Sequence, residues 1–150
     1  MKILSVNAGS SSLKFTLIEL PEKKVLANGL FEKIGIPGSC YTIKYNGEKI
    51  TKEANLGDHS VAVQILMDEL INMGIISSLE EIDGVGHRMV HGGQEFTESV
   101  VLTEDVLERV SQYNELAPLH NPANIMGVRA FMKALPNTIQ VGVFDTAFHT

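Results

Sequence analysis

The sequence predicts an α/β domain built on a mixed sheet, and three observations predict it. Short apolar runs follow one another at the amino end, Ile3-Leu4-Ser5-Val6, Phe15-Thr16-Leu17-Ile18 and Val25 to Phe31, with turn-forming residues between them. From Gly57 onward, segments with apolar residues at helical spacing alternate with extended ones. The last extended run, Ile139-Gln140-Val141-Gly142-Val143-Phe144, is nearly all apolar, the pattern of a strand buried on both faces.

The first two runs form a hairpin with Asn7-Ala8-Gly9-Ser10-Ser11-Ser12 at its tip. Pro21-Glu22-Lys23-Lys24 is a polar turn into the third strand, which ends at Glu32-Lys33. Tyr41-Thr42-Ile43-Lys44 and Lys49-Ile50-Thr51 flank the turn Tyr45-Asn46-Gly47-Glu48, where Asn-Gly is a strong hairpin signal, and read as a β-ribbon insertion. Asp58 caps a helix whose apolar residues are Val61, Ile65, Leu66, Met67, Leu70 and Ile71, and Gly74 ends it. Ile82 to Val90 is a strand running into His91-Gly92-Gly93. Thr103 caps a second helix with Val106, Leu107 and Val110 on its apolar face, limited by Pro118. Asn121-Pro122 opens a third, with Ile125, Val128, Met132 and Leu135 as one buried stripe, and Pro136 ends it. The order is β-β-β, ribbon, α-β-α-α-β.

A chain of 150 residues with 44 % hydrophobic content has room for one domain with a real core. Twelve basic against eighteen acidic side chains give a net charge of −6, which argues against general attraction to nucleic acid or anionic lipid. Cys40 stands alone, no signal-peptide pattern opens the chain, and no apolar run approaches the about 18 residues that cross a bilayer, so a soluble protein of the cytoplasm is expected. The chain stops soon after its last strand without a closing element, which suggests a piece of a larger protein.

Phosphate chemistry must then come from local sites, and the hairpin tip is the first candidate. Gly9 permits close backbone approach, Ser10, Ser11 and Ser12 add donors, and Lys14 brings a charge that reaches a phosphoryl oxygen. Taken alone, the same residues also suit an ordinary polar turn. A Walker loop is unlike this one, because Leu13 rather than glycine precedes Lys14 and strand rather than helix follows. In Gly86-His87-Arg88-Met89-Val90-His91-Gly92-Gly93, strand alternation puts Arg88 and Val90 on one face, a cation beside an apolar patch. That pairing suits a small ligand with an anionic head and a short hydrocarbon body, although Arg88 could equally serve a structural carboxylate. His87 and His91 lack the further ligands of a zinc site. His120 stands before a capped helix, either structural or donating to a phosphoryl group. Asp145, at the carboxyl end of the last strand, and Asn7, at the end of the first, offer two oxygen ligands suited to Mg²⁺, with a turn role for Asp145 as the alternative.

Four stretches taken together carry a resemblance: Asn7-Ala8-Gly9-Ser10-Ser11-Ser12-Leu13-Lys14, Gly86 to Gly93, Leu116-Ala117-Pro118-Leu119-His120-Asn121-Pro122, and Phe144-Asp145-Thr146-Ala147-Phe148-His149. In this order the chain resembles the acetate kinase family. The resemblance implies the amino-terminal domain, residues 1–150, of an actin-like ATPase (ribonuclease H-like) fold, a mixed sheet in the order β-β-β-α-β-α-β with helices packed on it. A second, carboxy-terminal domain that completes the site would lie outside this chain. It implies reversible transfer of the ATP γ-phosphoryl group to acetate with Mg²⁺ or Mn²⁺, in a cytoplasmic homodimer. By the same resemblance Asn7 would contact the metal, and Ser10, Ser12 and Lys14 the nucleotide phosphates. Arg88 would bind the acyl substrate or its transferring phosphate, Val90 and Leu119 would line the methyl pocket, His120 would sit near the phosphoryl group, and Asp145 would be the active-site acid. Propionate kinases share these motifs, and a phosphate-binding piece unable to turn over by itself is the third possibility.

Overall fold

The computed structural model describes residues 1–89, 100–103 and 121–144. Within them the chain forms the strands β1 (Lys2–Ala8), β2 (Leu13–Glu19), β3 (Lys24–Glu32), β4 (Cys40–Tyr45), β5 (Glu48–Glu53), β6 (Ile82–Met89), β7 (Val100–Val101) and β8 (Ile139–Phe144). The helices α1 (His59–Asn72) and α2 (Asn121–Ala134), with a short 3-10 turn at Leu79–Glu81, complete the described elements. All eight strands belong to one sheet in the order β5-β4-β3-β2-β1-β6-β8-β7. From β1 to β5 each neighbour is antiparallel, whereas β1, β6 and β8 run parallel. The sheet is therefore mixed, and the carboxyl ends of its three parallel strands share one edge.

Alternation of side chains along the strands decides what the sheet buries. Leu4, Val6 and Ala8 of β1, Leu13, Phe15 and Leu17 of β2, Phe31 of β3 and Tyr41 and Ile43 of β4 all point to one face and are buried. Both described helices cover that face. α1 contributes Ala62, Val63, Leu66, Met67 and Leu70, and α2 contributes Ile125, Val128, Phe131 and Leu135. Asp58 caps α1, its carboxylate accepting from the Val61 N–H at 3.0 Å.

Four expectations need correction. The ribbon of β4 and β5 is no separate insertion: β4 pairs with β3 along its length and the sheet simply continues outward, with the predicted Asn46-Gly47 turn at positive φ between the two strands. Val61 and Ile71 are exposed, because the buried arc of α1 is centred on Leu66 and Leu70 and these two residues fall at its margins. Met132 is only half-buried, and Phe131, one residue earlier, fills the core instead. β8 is not apolar on both sides, since Ile139 is 50 % exposed and the buried position is taken by Gln140. The short β7, antiparallel to β8, was not foreseen; a two-residue strand has too little pattern to be read. The second predicted helix, beginning after Thr103, lies outside the described residues, as do Val90 and the His91-Gly92-Gly93 exit.

A polar clip ties the outer strands to α1. Glu69 is buried on α1 and accepts from the Tyr41 hydroxyl at 2.8 Å and from the Lys52 ammonium at 3.1 Å, while the Tyr41 ring stacks on Phe31 at 4.9 Å. Burial pushes the Tyr41 hydroxyl up to about 12, helped by the Glu69 carboxylate, so it stays a donor throughout the neutral range. Burial works to raise the Glu69 carboxyl, but hydrogen bonds from Lys52 and then Tyr41 outweigh it and hold the group below the usual carboxylate range. Replacing Tyr41 by phenylalanine is expected to cost about 1.5 kcal/mol, the worth of one hydrogen bond to a charged group, because Lys52 still accompanies the carboxylate. The urea midpoint of the purified chain checks this.

Candidate phosphate-binding site

The site grows from the tip of the first hairpin. Strand register places Ala8 opposite Leu13, so Gly9-Ser10-Ser11-Ser12 closes the turn. The Gly9 N–H donates to the Ser12 carbonyl at 3.0 Å, and the Ile34 N–H, just beyond β3, donates to the Ser11 carbonyl at 2.9 Å. His59, the first residue of α1 and only 2 % exposed, places its Nε2 at 2.8 Å from the Gly9 carbonyl and 3.2 Å from the Ser12 carbonyl. Both partners are acceptors, so Nε2 carries the proton and donates.

Three carbonyls of the loop are thus held by the protein. In a trans peptide the carbonyl and the following N–H point in opposite directions. Anchoring the Gly9 carbonyl therefore turns the Ser10 N–H away from His59, and anchoring the Ser11 carbonyl turns the Ser12 N–H away from Ile34. Main-chain N–H groups without a partner in the turn are the donors an anion can take. Space is tight on the inner side. A Cβ on Gly9 would stand 2.6 Å from the Ser12 Oγ, and one on Gly127 of α2 would stand 2.9 Å from the Ala8 Cβ, so the helix packs directly beneath the end of β1.

Beside the loop, three predicted site residues share the sheet face opposite the helices. Asn7 on β1 is paired with Lys14 on β2, and both are exposed. Val6 is aligned with His87, so the next residues, Asn7 and Arg88, stand side by side with their strands parallel, and Arg88 is exposed. Neighbouring strands lie about 4.8 Å apart, so the row Lys14, Asn7, Arg88 spans roughly 10 Å, comparable to a polyphosphate with an acceptor at its end. Lys14 also borders a shallow depression with Lys44 and Lys49. Three lysines thus share one depression in a chain of net charge −6. Ser10 is exposed at the tip and Ser12 half-buried. Of the other predicted site residues, Val90, Leu119, His120 and Asp145 lie outside the described residues.

His87 is buried and belongs to the opposite, inner face. Its Nε2 meets the Gln140 Oε1 at 2.7 Å, and its ring meets Phe131 edge-on at 5.5 Å. It bolts β6 to β8 just behind Arg88. Burial draws its imidazole down to about 4, against a smaller opposing effect of the Gln140 bond. Among the described residues no group of three or more His, Cys, Asp or Glu side chains could hold a metal ion. A hard cation bound chiefly through substrate phosphates and water needs few protein oxygens, and the Asn7 side chain offers one in the right row.

His59, Gln140 and Gly127 escaped the reading of the sequence. Gly127 had a legible signal, since a glycine inside a helix costs about 1 kcal/mol and marks a packing reason. His59 and Gln140 had none, because their partners lie 50 and 53 residues away in sequence.

A parallel core flanked by an antiparallel meander, with a Gly/Ser loop braced between its first two strands, defines a mixed α/β domain. Residues 2–150 match the model of the acetokinase family, and the chain belongs to that family. It is 56 % identical over 148 residues to the acetate kinase of Bacillus velezensis, covering 99 % of this chain and 38 % of that protein. Among solved structures, the acetate kinase of Porphyromonas gingivalis superposes with a TM-score of 0.94 at 50 % identity, over 98 % of this chain and 38 % of that one. A propionate kinase from Francisella tularensis superposes with a TM-score of 0.90 at 42 % identity, over 99 % and 38 %. The fold is the actin-like ATPase fold of these kinases, and the chain spans a little over a third of their length.

Proposed function

We propose that residues 1–150 act as the amino-terminal domain of an acetate kinase, forming one wall of a cleft in which ATP phosphorylates acetate. The observation that carries the reading is the row of Lys14, Asn7 and Arg88 beside the anchored loop. An acetate carboxylate oxygen attacks the γ-phosphorus in line, the new P–O bond forms as the bond to the β,γ-bridging oxygen breaks, and acetyl phosphate and ADP result. The acid is already ionised near neutral pH, so no base is required. The N–H groups of Ser10 and Ser12, with their hydroxyls, and the Lys14 ammonium hold nucleotide phosphates. Arg88 holds the acetate carboxylate and then the transferring phosphoryl group. Val90 and Leu119 cover the methyl group, and His120 and Asp145 complete the polar wall. Mg²⁺, or Mn²⁺ in its place, would be held by Asn7 and, through Asp145, by the end of β8, and it supplies neutralisation of phosphate charge. The enzyme works as a cytoplasmic homodimer.

The test is acetyl hydroxamate formation from ATP, acetate and hydroxylamine. The full-length protein is expected to form it and the isolated 150-residue chain is not, because one wall cannot enclose the nucleotide. Activity of the isolated chain would overturn the shared-cleft reading, and inactivity of the full-length protein would overturn the kinase reading. The likeness to a propionate kinase supports propionate as a second acceptor. One methylene is worth only about 1–3 kcal/mol in a pocket, so the ratio of kcat/KM for the two acids decides between them.

A further inference from the structure

We propose that His59 is a positioning residue for phosphoryl transfer, which aims the phosphate loop by holding its Gly9 and Ser12 carbonyls from behind. The inference rests on the kinase reading above. Three observations carry it. First, His59 is 2 % exposed and its Nε2 bridges both sides of the loop, at 2.8 Å and 3.2 Å, so it braces the width of the turn as well as its tilt. Second, the peptide whose carbonyl it grips carries the Ser10 N–H on its other end, so a rotation that frees the carbonyl also swings that donor away from an anion. Third, the grip is rigid. His59 is the first residue of α1, fixed by the Asp58 cap and by the buried arc behind it, and the contact crosses 50 residues of sequence. The Ile34 N–H performs the matching task on the Ser11 carbonyl, but it is main chain and only proline at that position would remove it. His59 is therefore a side chain whose hydrogen bonds set the direction of a loop amide.

The group never touches nucleotide or acetate on this geometry, so its loss should weaken the use of ATP and leave acetate alone. In the full-length protein, H59L keeps a buried apolar volume and removes the donor, whereas H59Q carries an amide N–H at nearly the reach of Nε2. H59L is expected to lower kcat/KM for ATP by at least about 10-fold, with KM for acetate changed less than about 2-fold, and H59Q to stay within about 3-fold of the parent. Melting temperatures of both variants confirm that folded protein is compared. A folded H59L with unchanged kcat/KM for ATP overturns the proposal, as does an equal loss for both substrates that tracks the melting temperature. Should H59L not fold, H59N takes its place, since its amide falls short of the carbonyls and should behave as donorless.

A measurement on the parent needs no substitution. Inorganic pyrophosphate should shift the Ser10 and Ser12 amide resonances and the His59 Nε2–H resonance together. Loop amides that shift without His59 overturn the inference alone. Loop amides that do not shift, in a protein that forms no acetyl hydroxamate, overturn the kinase reading beneath it.

Discussion

Replacing Arg88 by alanine in the full-length protein is expected to lower kcat for acetyl phosphate formation by at least about 10²-fold, the usual cost of removing one donor aimed at developing transition-state charge. The expectation comes from where the strand puts the side chain. Arg88 is the penultimate residue of β6, at the carboxyl edge shared by the parallel strands, and it stands level with Asn7 on the face away from the helices. On the proposed reading a guanidinium there would meet the phosphoryl group as negative charge spreads over its equatorial oxygens, a demand that the ground state makes less strongly. The loss should therefore fall on kcat. A residue that only bound acetate would raise KM and leave kcat unchanged, and that outcome would sink the assignment. Lysine at this position offers a point charge without the planar fork, so R88K should recover only part of the loss. Hydroxamate kinetics with varied acetate separate these results.

The fold was largely legible because most of its elements are long enough to show their own period. β1 and β2 alternate cleanly, the turns of the antiparallel meander carry Gly/Ser, Pro and Asn-Gly chemistry, and the caps and stops of α1 agree with its stripe. What the period could not show was which face of a half-apolar helix wins. Val61 and Ile71 fit the pattern of α1 as well as Ala62 and Val63 do, and only the sheet beneath decides that the former stay wet. β8 misled for a related reason. A run of Ile, Val and Phe reads as doubly buried, yet its one polar residue, Gln140, is the buried one because His87 on the neighbouring strand needs an acceptor.

The candidate site was legible as a set of residues and not as a set of supports. Asn7, Lys14 and Arg88 stood out because polar or charged side chains at the ends of apolar strands have no packing reason to be there, and the register brings all three onto one face. The groups that brace the loop and strands around them are buried, and each is recognised only by a partner far away in sequence. His59 looks like an ordinary first-turn residue until α1 is docked against the hairpin. His87 looked like a failed metal ligand, and the structure makes it a core residue packed on Phe131.

That buried histidine leads to the second large effect, a loss of stability in mild acid. The His87 imidazole has its ordinary value near 6.5 in the unfolded chain and about 4 in the fold, where burial disfavours the charged form. Between these values the unfolded state binds a proton that the folded state does not, so stability rises with pH across the window. The contribution is complete above 6.5, declines as pH falls toward 4, and amounts to about 3 kcal/mol in all. From pH 7.5 to pH 5.0 the chain should lose about 2 kcal/mol of unfolding free energy, read from urea titrations. Glu69 and Glu81 also have lowered carboxyl values, and their contributions are lost below the ordinary carboxylate range of about 4.5, outside that interval. H87Q keeps a hydrogen-bonding partner for Gln140 and removes the titrating group, so it should flatten the curve between pH 7.5 and 5.0. If H87Q retains the full acid loss, His87 is not its source, and the neutral bolt between β6 and β8 behind Arg88 is not what holds that edge of the sheet.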